Sequence, residues 1–354
     1  MHVVIDWALV IEKFALVVIV VMASLLIAMY STWAERKVAA IMQDRRGPNR
    51  AGPFGILQPL ADGAKLFFKE EIIPTFSAGF LFILGPCLAM LTAIMTSAVI
   101  PWGDKVHFFG RDISLQIADI NIGILYVFGV VSLGVYGIMI GGWASNNKYS
   151  LMGALRAASQ IISYELAMGI ALIALLMLTG TLSLKTIVNE QLDHTWNIIK
   201  QPLGFLIFLV CAFAECNRTP FDLAEAENEL VAGYHTEYSS MKLGFYLFSE
   251  YINMFVSSAV MVSLFFGGYD IPFVNDANLL AHVGDNWMAL IHVGVLFIKI
   301  VCFLFFFMWV RWTIPRFRYD QLMNLGWKIL IPLALINMVI TGALILLHQN
   351  QWHF

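Results

Sequence analysis

The sequence predicts an all-α integral membrane protein of about eight transmembrane helices, and three observations carry that expectation. Of its 354 residues 60% are hydrophobic and only 13% are charged, with a mean hydropathy of +0.77. Uncharged apolar runs of about 20 residues, enough to cross a hydrocarbon core of about 30 Å, recur along the whole length. Lysine and arginine are spread unevenly between alternate loops. No linker, repeat or low-complexity stretch divides the chain, so residues 1–354 read as a single polytopic membrane domain. A net charge of −3 gives no reason to expect a nucleic-acid partner.

The runs near Phe14–Trp33, Phe80–Ile100, Ile122–Ile140, Ile161–Thr179, Leu203–Ala214, Leu243–Phe266, Ala289–Val310 and Ile329–Leu347 are the expected spans. No basic region precedes the first of them; Glu12 and Lys13 stand there instead, so it reads as a retained span rather than a cleaved signal. Loops one, three, five and seven hold 15 lysines and arginines, against 4 in loops two, four and six. The positive-inside rule then places the odd loops in the cytoplasm and both termini on the opposite side.

The fifth run is short. Only 14 uncharged residues separate Lys200 from Glu215, which is about 21 Å of helix. Either Lys200 snorkels outward, or Glu215 is carried inward, or the helix is broken or re-entrant. Two of these three arrangements leave a carboxylate at membrane depth.

Acids crowd the segment that follows. In RTPFDLAEAENELVAGYHTE, residues 218–237, Asp222, Glu225, Glu227, Glu229 and Glu237 share the stretch with one arginine, and Glu215 lies just upstream. Thr219 as N-cap, Pro220 as first helical residue and Asp222 at the third position predict a helix that restarts here and stops at Gly233. At 100° per residue Asp222, Glu225 and Glu229 fall within about 60° of one another on a polar face. Glu227 instead projects between Leu223, Leu230 and Val231 on the apolar face. A solvated face with its acids favoured by a helix N-terminus accounts for the first three. It leaves Glu227 and Glu215 without a role. Glu165, Glu250 and Lys299 lie within other spans. Intramembrane charges are costly and mark either ion paths or paired structural charges. Taken with the acidic loop, they favour a hydrated proton or cation path.

The first cytoplasmic loop carries a second pattern. Leu57, Leu60, Ala61, Ala64, Phe67 and Phe68 follow helical spacing, with Asp62, Lys65 and Lys69 opposite. An amphipathic helix lying in the membrane interface is expected. The upstream GPNRAGPFG is turn chemistry without a phosphate-binding signature. Arg36, Lys37, Arg45, Arg46 and Arg50, like Arg311, Arg316 and Arg318, read equally well as positive-inside anchors. Cys87, Cys211, Cys216 and Cys302 form no C-x-x-C pair, and His235 and Glu237 form H-x-E without further ligands, so no metal site is expected in this chain.

The strings AERK, QDRRGPN, GPFGILQPLADGAKLFFKE, GWASNNKYSLMGALRAASQIISYE, NRTPFDLAEAENELVAGYHTEY and PRFRYDQLM occur in order between about Ser31 and Trp327. This stretch resembles the H subunit family of respiratory complex I, the NADH dehydrogenase subunit 1 family of mitochondria. The resemblance implies an eight-span subunit at the heel of the membrane arm of a proton-translocating NADH:quinone oxidoreductase. It implies a bacterial inner membrane, with both termini periplasmic. The subunit would hold no redox cofactor; quinone is the substrate, and FMN and iron–sulfur clusters belong to partner subunits. Its partners would be the peripheral iron–sulfur and quinone-site subunits, small neighbouring membrane subunits and membrane lipid. Carried over motif by motif, Glu35, Arg36, Asp62, Arg218 and Arg311 would border the quinone chamber. Glu165, Glu215, Asp222, Glu225, Glu227, Glu229 and Glu237 would form the proton path, with Arg156 and Gln160 in support. Cys216 departs from the threonine or other small residue of the family pattern. The loop from Gly180 to Gln201 and both termini match no family motif. Three other readings compete: a homologous membrane subunit of an energy-converting hydrogenase or formate hydrogenlyase, a secondary proton or cation transporter, and a passive anchor.

Overall fold

The computed structural model describes residues 7–108, 111–193, 195–225, 227–272 and 284–350. Helices dominate, in the order α1 (Trp7–Met42), α2 (Gln58–Phe68), α3 (Gly79–Thr96), α4 (Gly123–Ala144), α5 (Lys148–Thr179), α6 (Leu184–Asp193) and α7 (Asn197–Lys200). There follow α8 (Pro202–Glu215), α9 (Glu227–Leu230), α10 (Ser240–Phe265), α11 (Asp285–Thr313), α12 (Tyr319–Asn324) and α13 (Ile331–Asn350), the last two joined by a π-helical turn over Leu325–Leu330. Seven helical stretches among the described residues are long and apolar enough to cross a membrane, and α8 is a shorter apolar helix. Each of the eight apolar runs expected from the sequence lies in one of these helices. The chain is an all-α, multi-pass membrane protein. The second loop adds a small antiparallel hairpin that no sequence pattern predicts, β1 (Lys105–Phe108) against β2 (Arg111–Ser114), with Val106 opposite Ile113.

The bundle is organised around α5 and α10. Helix α5 packs on α4, α8 and α13, and α10 packs on α1, α3 and α11. In the most apolar window of α10, 72% of residues are buried, against 22% for α1, so α10 is central and α1 peripheral. With 36 residues, α1 is about 54 Å long, well beyond the bilayer core. Its last turns therefore carry Glu35 and Arg36 towards the loops. Small residues let helices approach closely where no hydrophobic gain separates protein from lipid. Gly137 and Gly141 of α4 lie against α3 and α10. Tyr246 Oη donates to Gly137 O at 3.0 Å, and a Cβ on Gly141 would fall far inside van der Waals contact of the same hydroxyl.

The predicted amphipathic helix is α2. All six residues of its apolar face, from Leu57 to Phe68, are exposed, as an element resting on lipid requires. For the fifth span, two of the three sequence alternatives are combined. The helix is broken at Gln201, and Lys200 lies exposed beyond the break. Gln201 is buried, donating to Thr341 Oγ1 at 2.7 Å and accepting from Asn337 Nδ2 at 3.1 Å. The other end of α8 carries Glu215 inward.

The expected helix from Thr219 to Gly233 does not form. Only Glu227–Leu230 is helical, followed by a 3-10 turn at Gly233–His235. Carbonyls that a helix would use are taken from outside. Gln160 Nε2 donates to Ala214 O at 2.7 Å and to Phe221 O at 2.6 Å, and Phe317 N donates to Pro220 O at 3.2 Å. The shared polar face of Asp222, Glu225 and Glu229 falls with that helix. The Glu227 side chain, whose apolar-face placement rested on the same helix, lies outside the described residues. Lys299, charged within a span, ties backbone together. Its ammonium donates to the carbonyls of Phe266, Gly268 and Asp270 at 2.7, 3.0 and 2.7 Å, closing the end of α10.

Gly141→Ala should lower the thermal stability of the solubilised protein, by about 1–3 kcal/mol if overpacking here costs what it does in other cores. Tyr246→Phe, which removes the opposing hydroxyl, should restore part of that loss in the double variant. A melting curve of Gly141→Ala that superimposes on wild type contradicts the close α4–α10 approach.

Candidate functional site

The site begins with two neighbouring residues on α1. Consecutive helical side chains point about 100° apart, so Glu35 turns into the bundle while Arg36 turns towards α2. Arg36 Nη1 meets Asp62 at 2.8 Å, and Gln58 Nε2 donates to Asp62 Oδ1 at 3.2 Å. Glu35 is buried and fully engaged. Tyr251 Oη donates to it at 2.6 Å, Arg311 forms an ion pair with it, and Arg218 Nη1 lies 3.6 Å away. Glu35, Arg36, Asp62, Tyr251 and Arg311 face a cavity of about 510 Å³ between α1, α2, α10 and α11, whose apolar wall includes Met29, Leu243 and Phe248. An apolar chamber with a few convergent polar groups at one end is how ligand pockets are generally built.

Arg218 stands behind this wall. Its guanidinium lies 4.1 Å from the centroid of the Tyr251 ring, and its Nη2 is 3.9 Å from Glu250 Oε2. Burial of a guanidinium is costly without partners. Here two carboxylates and an aromatic face supply them. At 3.6 and 3.9 Å both carboxylates stand beyond direct hydrogen-bond distance, and Nε and Nη2 have no hydrogen-bond partner among the described residues. Glu250 in turn accepts from Tyr234 Oη at 3.0 Å. Glu250 and Tyr251 are again consecutive, so one turn of α10 serves two compartments.

Beyond Arg218 lies the second compartment. Glu215 and Glu250 both line a small cavity of about 30 Å³ with Asn217, Tyr234, Ser249 and Asn253. That space holds about one or two waters. Glu215 also borders an adjoining cavity of about 20 Å³ with Thr96, Asn253 and Ser257. Glu165 accepts a short hydrogen bond from Ser132, next to Val131, which lines both small cavities.

Asp222 is nearly inaccessible and meets Arg316 Nη2 at 2.5 Å. Burial pushes its carboxyl up to about 6; the charge of Glu225 adds to that rise, while Arg316 and Arg311 oppose it. The remaining acids of the loop lie elsewhere. Glu229 is exposed and pairs with Arg156 at 2.6 Å. Glu237 accepts from Asn147 Nδ2 at 2.6 Å in an open surface recess.

Four of the five chamber residues expected from the sequence, Glu35, Arg36, Asp62 and Arg311, thus share one cavity, and Arg218 stands behind it against Glu35 and Tyr251. The seven expected path residues do not form one cluster. Glu215 lines the small cavities, Asp222 and Glu225 lie near the arginines, and Glu229 and Glu237 are peripheral. Tyr234 and Tyr251 are not singled out by the sequence; Arg316 reads there equally well as an anchor, and Glu250 only as an intramembrane acid favouring a proton or cation path, outside the seven. The string SEY at 249–251 held the available signal, an acid and a phenol side by side within a span. Arg45, Arg46 and Arg50 are exposed, as anchoring charges would be.

Known proteins with similar sequences cover nearly the whole chain. A family described as NADH dehydrogenase matches residues 14–342. The H subunit of the NADH-quinone oxidoreductase of Flavobacterium johnsoniae is 65% identical over 342 residues, 97% of each chain. An H subunit of the same oxidoreductase from Cytophaga hutchinsonii is 66% identical over 336 residues, covering 95% of this chain and 97% of its own. The counterpart from Thermomicrobium roseum is 48% identical over 346 residues, again 95% and 97%. The chain belongs to the NADH dehydrogenase family that includes these H subunits.

Proposed function

We propose that this chain is the membrane subunit of a proton-translocating NADH:quinone oxidoreductase that, with peripheral partner subunits, encloses the quinone. The cavity of about 510 Å³ bordered by Glu35, Arg36, Asp62, Tyr251 and Arg311 carries the reading. Its apolar wall suits a quinone ring and tail, and its charged end suits oxygens that gain electron density on reduction. A quinone takes two electrons and two protons to become quinol. The electrons come from an iron–sulfur cluster of a partner subunit, supplied by NADH through FMN in another. This chain supplies the surroundings and the protons. Negative charge arriving on the quinone competes with Glu35 for Arg311 and with Asp62 for Arg36. The disturbance passes through Arg218 to Glu250, because one guanidinium is shared between two carboxylates. Glu250 and Glu215 then exchange protons across the water-sized cavity between them. The subunit resides in the bacterial inner membrane with both termini periplasmic, in keeping with the excess of basic residues in the odd loops.

Two variants test the chamber. In the assembled complex, Arg36→Ala and Asp62→Asn should lower quinone reductase activity by about tenfold or more, the usual scale of losing one oriented charge at a reacting site. NADH oxidation by an artificial acceptor at the flavin should be unaffected. Normal quinone kinetics with normal assembly would return both residues to the role of surface anchors.

Asp222 gives a pH prediction. With its carboxyl raised to about 6 in the fold from an ordinary 3.8, charged Asp222 weighs against the folded state above pH 6. That penalty disappears as pH falls from about 6 towards 3.8, where the proton is bound in both folded and unfolded states. Asp222→Asn should therefore flatten the pH dependence of both stability and quinone turnover near pH 6. Identical profiles for variant and wild type would show that Asp222 does not titrate there.

A further inference from the structure

Few positions of the central helix α10 keep any accessible surface. Between Ile252 and Phe265 every residue is buried except Asn253 and Ser257. Four residues apart, these two share one face of the helix, and Glu250 stands three residues before Asn253 on the same face. The stripe from Glu250 to Ser257 is about 10 Å long. It looks onto the two small cavities beside Glu215. Asn253, Glu215 and Val131 line both of them, whereas Glu250 borders only the larger and Ser257 only the smaller. Asn253 is thus the polar side chain of α10 common to the two spaces.

Three serines of the same helix are satisfied by its own backbone. Ser249, Ser258 and Ser263 donate to Tyr246 O, Met254 O and Ala259 O at 2.7, 2.7 and 2.9 Å. Ser257 shares a hydrogen bond with the Cys216 thiol. The Asn253 side chain makes no hydrogen bond among the described residues. A carboxamide brings two N–H donors and an acceptor oxygen, and polar groups left unmet at membrane depth are costly. An asparagine that ties helices together has its partner on another helix; this one faces cavity instead. The larger space, of about 30 Å³, has room for about one or two waters, and the smaller, of about 20 Å³, for about one. Water held there satisfies the amide.

Resting on the reading that Glu215 and Glu250 exchange protons, we propose that Asn253 is a positioning residue for that transfer, its carboxamide holding the water that joins the two acids. In the transfer, the O–H bond of one carboxylic acid breaks as its proton passes to the water. The water gives a different proton to the carboxylate opposite, so one proton moves and the water is regenerated. The amide takes no proton at any stage. It fixes where the water stands and which way its hydrogens point.

The test compares variants of the assembled complex in membranes by quinone reductase rate, proton uptake and the ratio of rates in H2O and D2O. Asn253→Leu keeps the volume and removes the hydrogen-bonding groups. It should lower rate and uptake together by about tenfold, less than loss of a proton carrier itself costs, and the isotope ratio should rise above that of wild type. Asn253→Ser keeps a hydroxyl and leaves room for more water, so it should stay near wild type in all three. Val131→Leu narrows both cavities from α4 and should reproduce the loss and the raised ratio, so failure of Asn253→Leu to assemble leaves the test standing. Wild-type rate and ratio in Asn253→Leu, or in Val131→Leu if that variant alone assembles, overturns the role of Asn253. Equal losses in the leucine and serine variants at position 253, with an unchanged ratio, overturn it too and assign the side chain to packing. Glu250→Gln is the reference. Impairment there beside an unimpaired Asn253→Leu overturns the positioning role alone, whereas a wild-type rate in Glu250→Gln overturns the exchange on which it rests.

Discussion

One buried guanidinium sets the terms for the rest of the site. Arg218 is almost wholly enclosed, and a charge so placed is tolerated only with its partners in position. Those partners come from two helices: Glu35 from α1, and Glu250 and the Tyr251 ring from α10. Holding them together fixes the end of α1 against the middle of α10. The acidic loop then starts from a defined point, because Arg218 follows closely on the end of α8. The packing that makes the chamber and the packing that makes the water-sized cavities are therefore one arrangement, seen from the two sides of Arg218.

On the proposed function, this arrangement lets proximity to quinone and proton exchange be served by separate groups. Glu35 is saturated by Tyr251, Arg311 and Arg218. Glu215 and Glu250 instead face space where water fits. Charge shared through a guanidinium in a low-dielectric interior is felt strongly at both ends. On the proposed reading, electron transfer to quinone needs no carboxylate to cross between compartments; the shift of one ion pair alters the field at the other.

Much of this was legible in the sequence, but unevenly. The spans were plain because length and apolarity decide membrane insertion locally. The apolar face of α2 was plain for the same reason, since none of its six residues is buried against the rest of the chain. The short fifth run pointed to Glu215, which lines the two small cavities. Local rules failed where distant residues intervened. Thr219 and Pro220 are good helix-starting residues, yet Gln160, 61 residues before Phe221, captures the backbone first. Asp222 looked like a solvated helix acid and is instead buried against Arg316, 94 residues away. Lys299 could be read by depth either as part of an ion path or as a paired structural charge, and it serves three carbonyls. The chamber residues followed from resemblance to a family, and their convergence on one cavity could not be read from spacing alone.

The coupling across Arg218 is tested most directly by the infrared difference spectrum that accompanies quinone reduction in the assembled complex. A change in the carbonyl stretch of protonated carboxylic acids is expected in wild type, and Glu250→Gln should remove it while the bands of the quinone itself persist. An identical carboxylic-acid signal in wild type and Glu250→Gln would contradict the claim that reduction in the chamber is felt on the far side of Arg218.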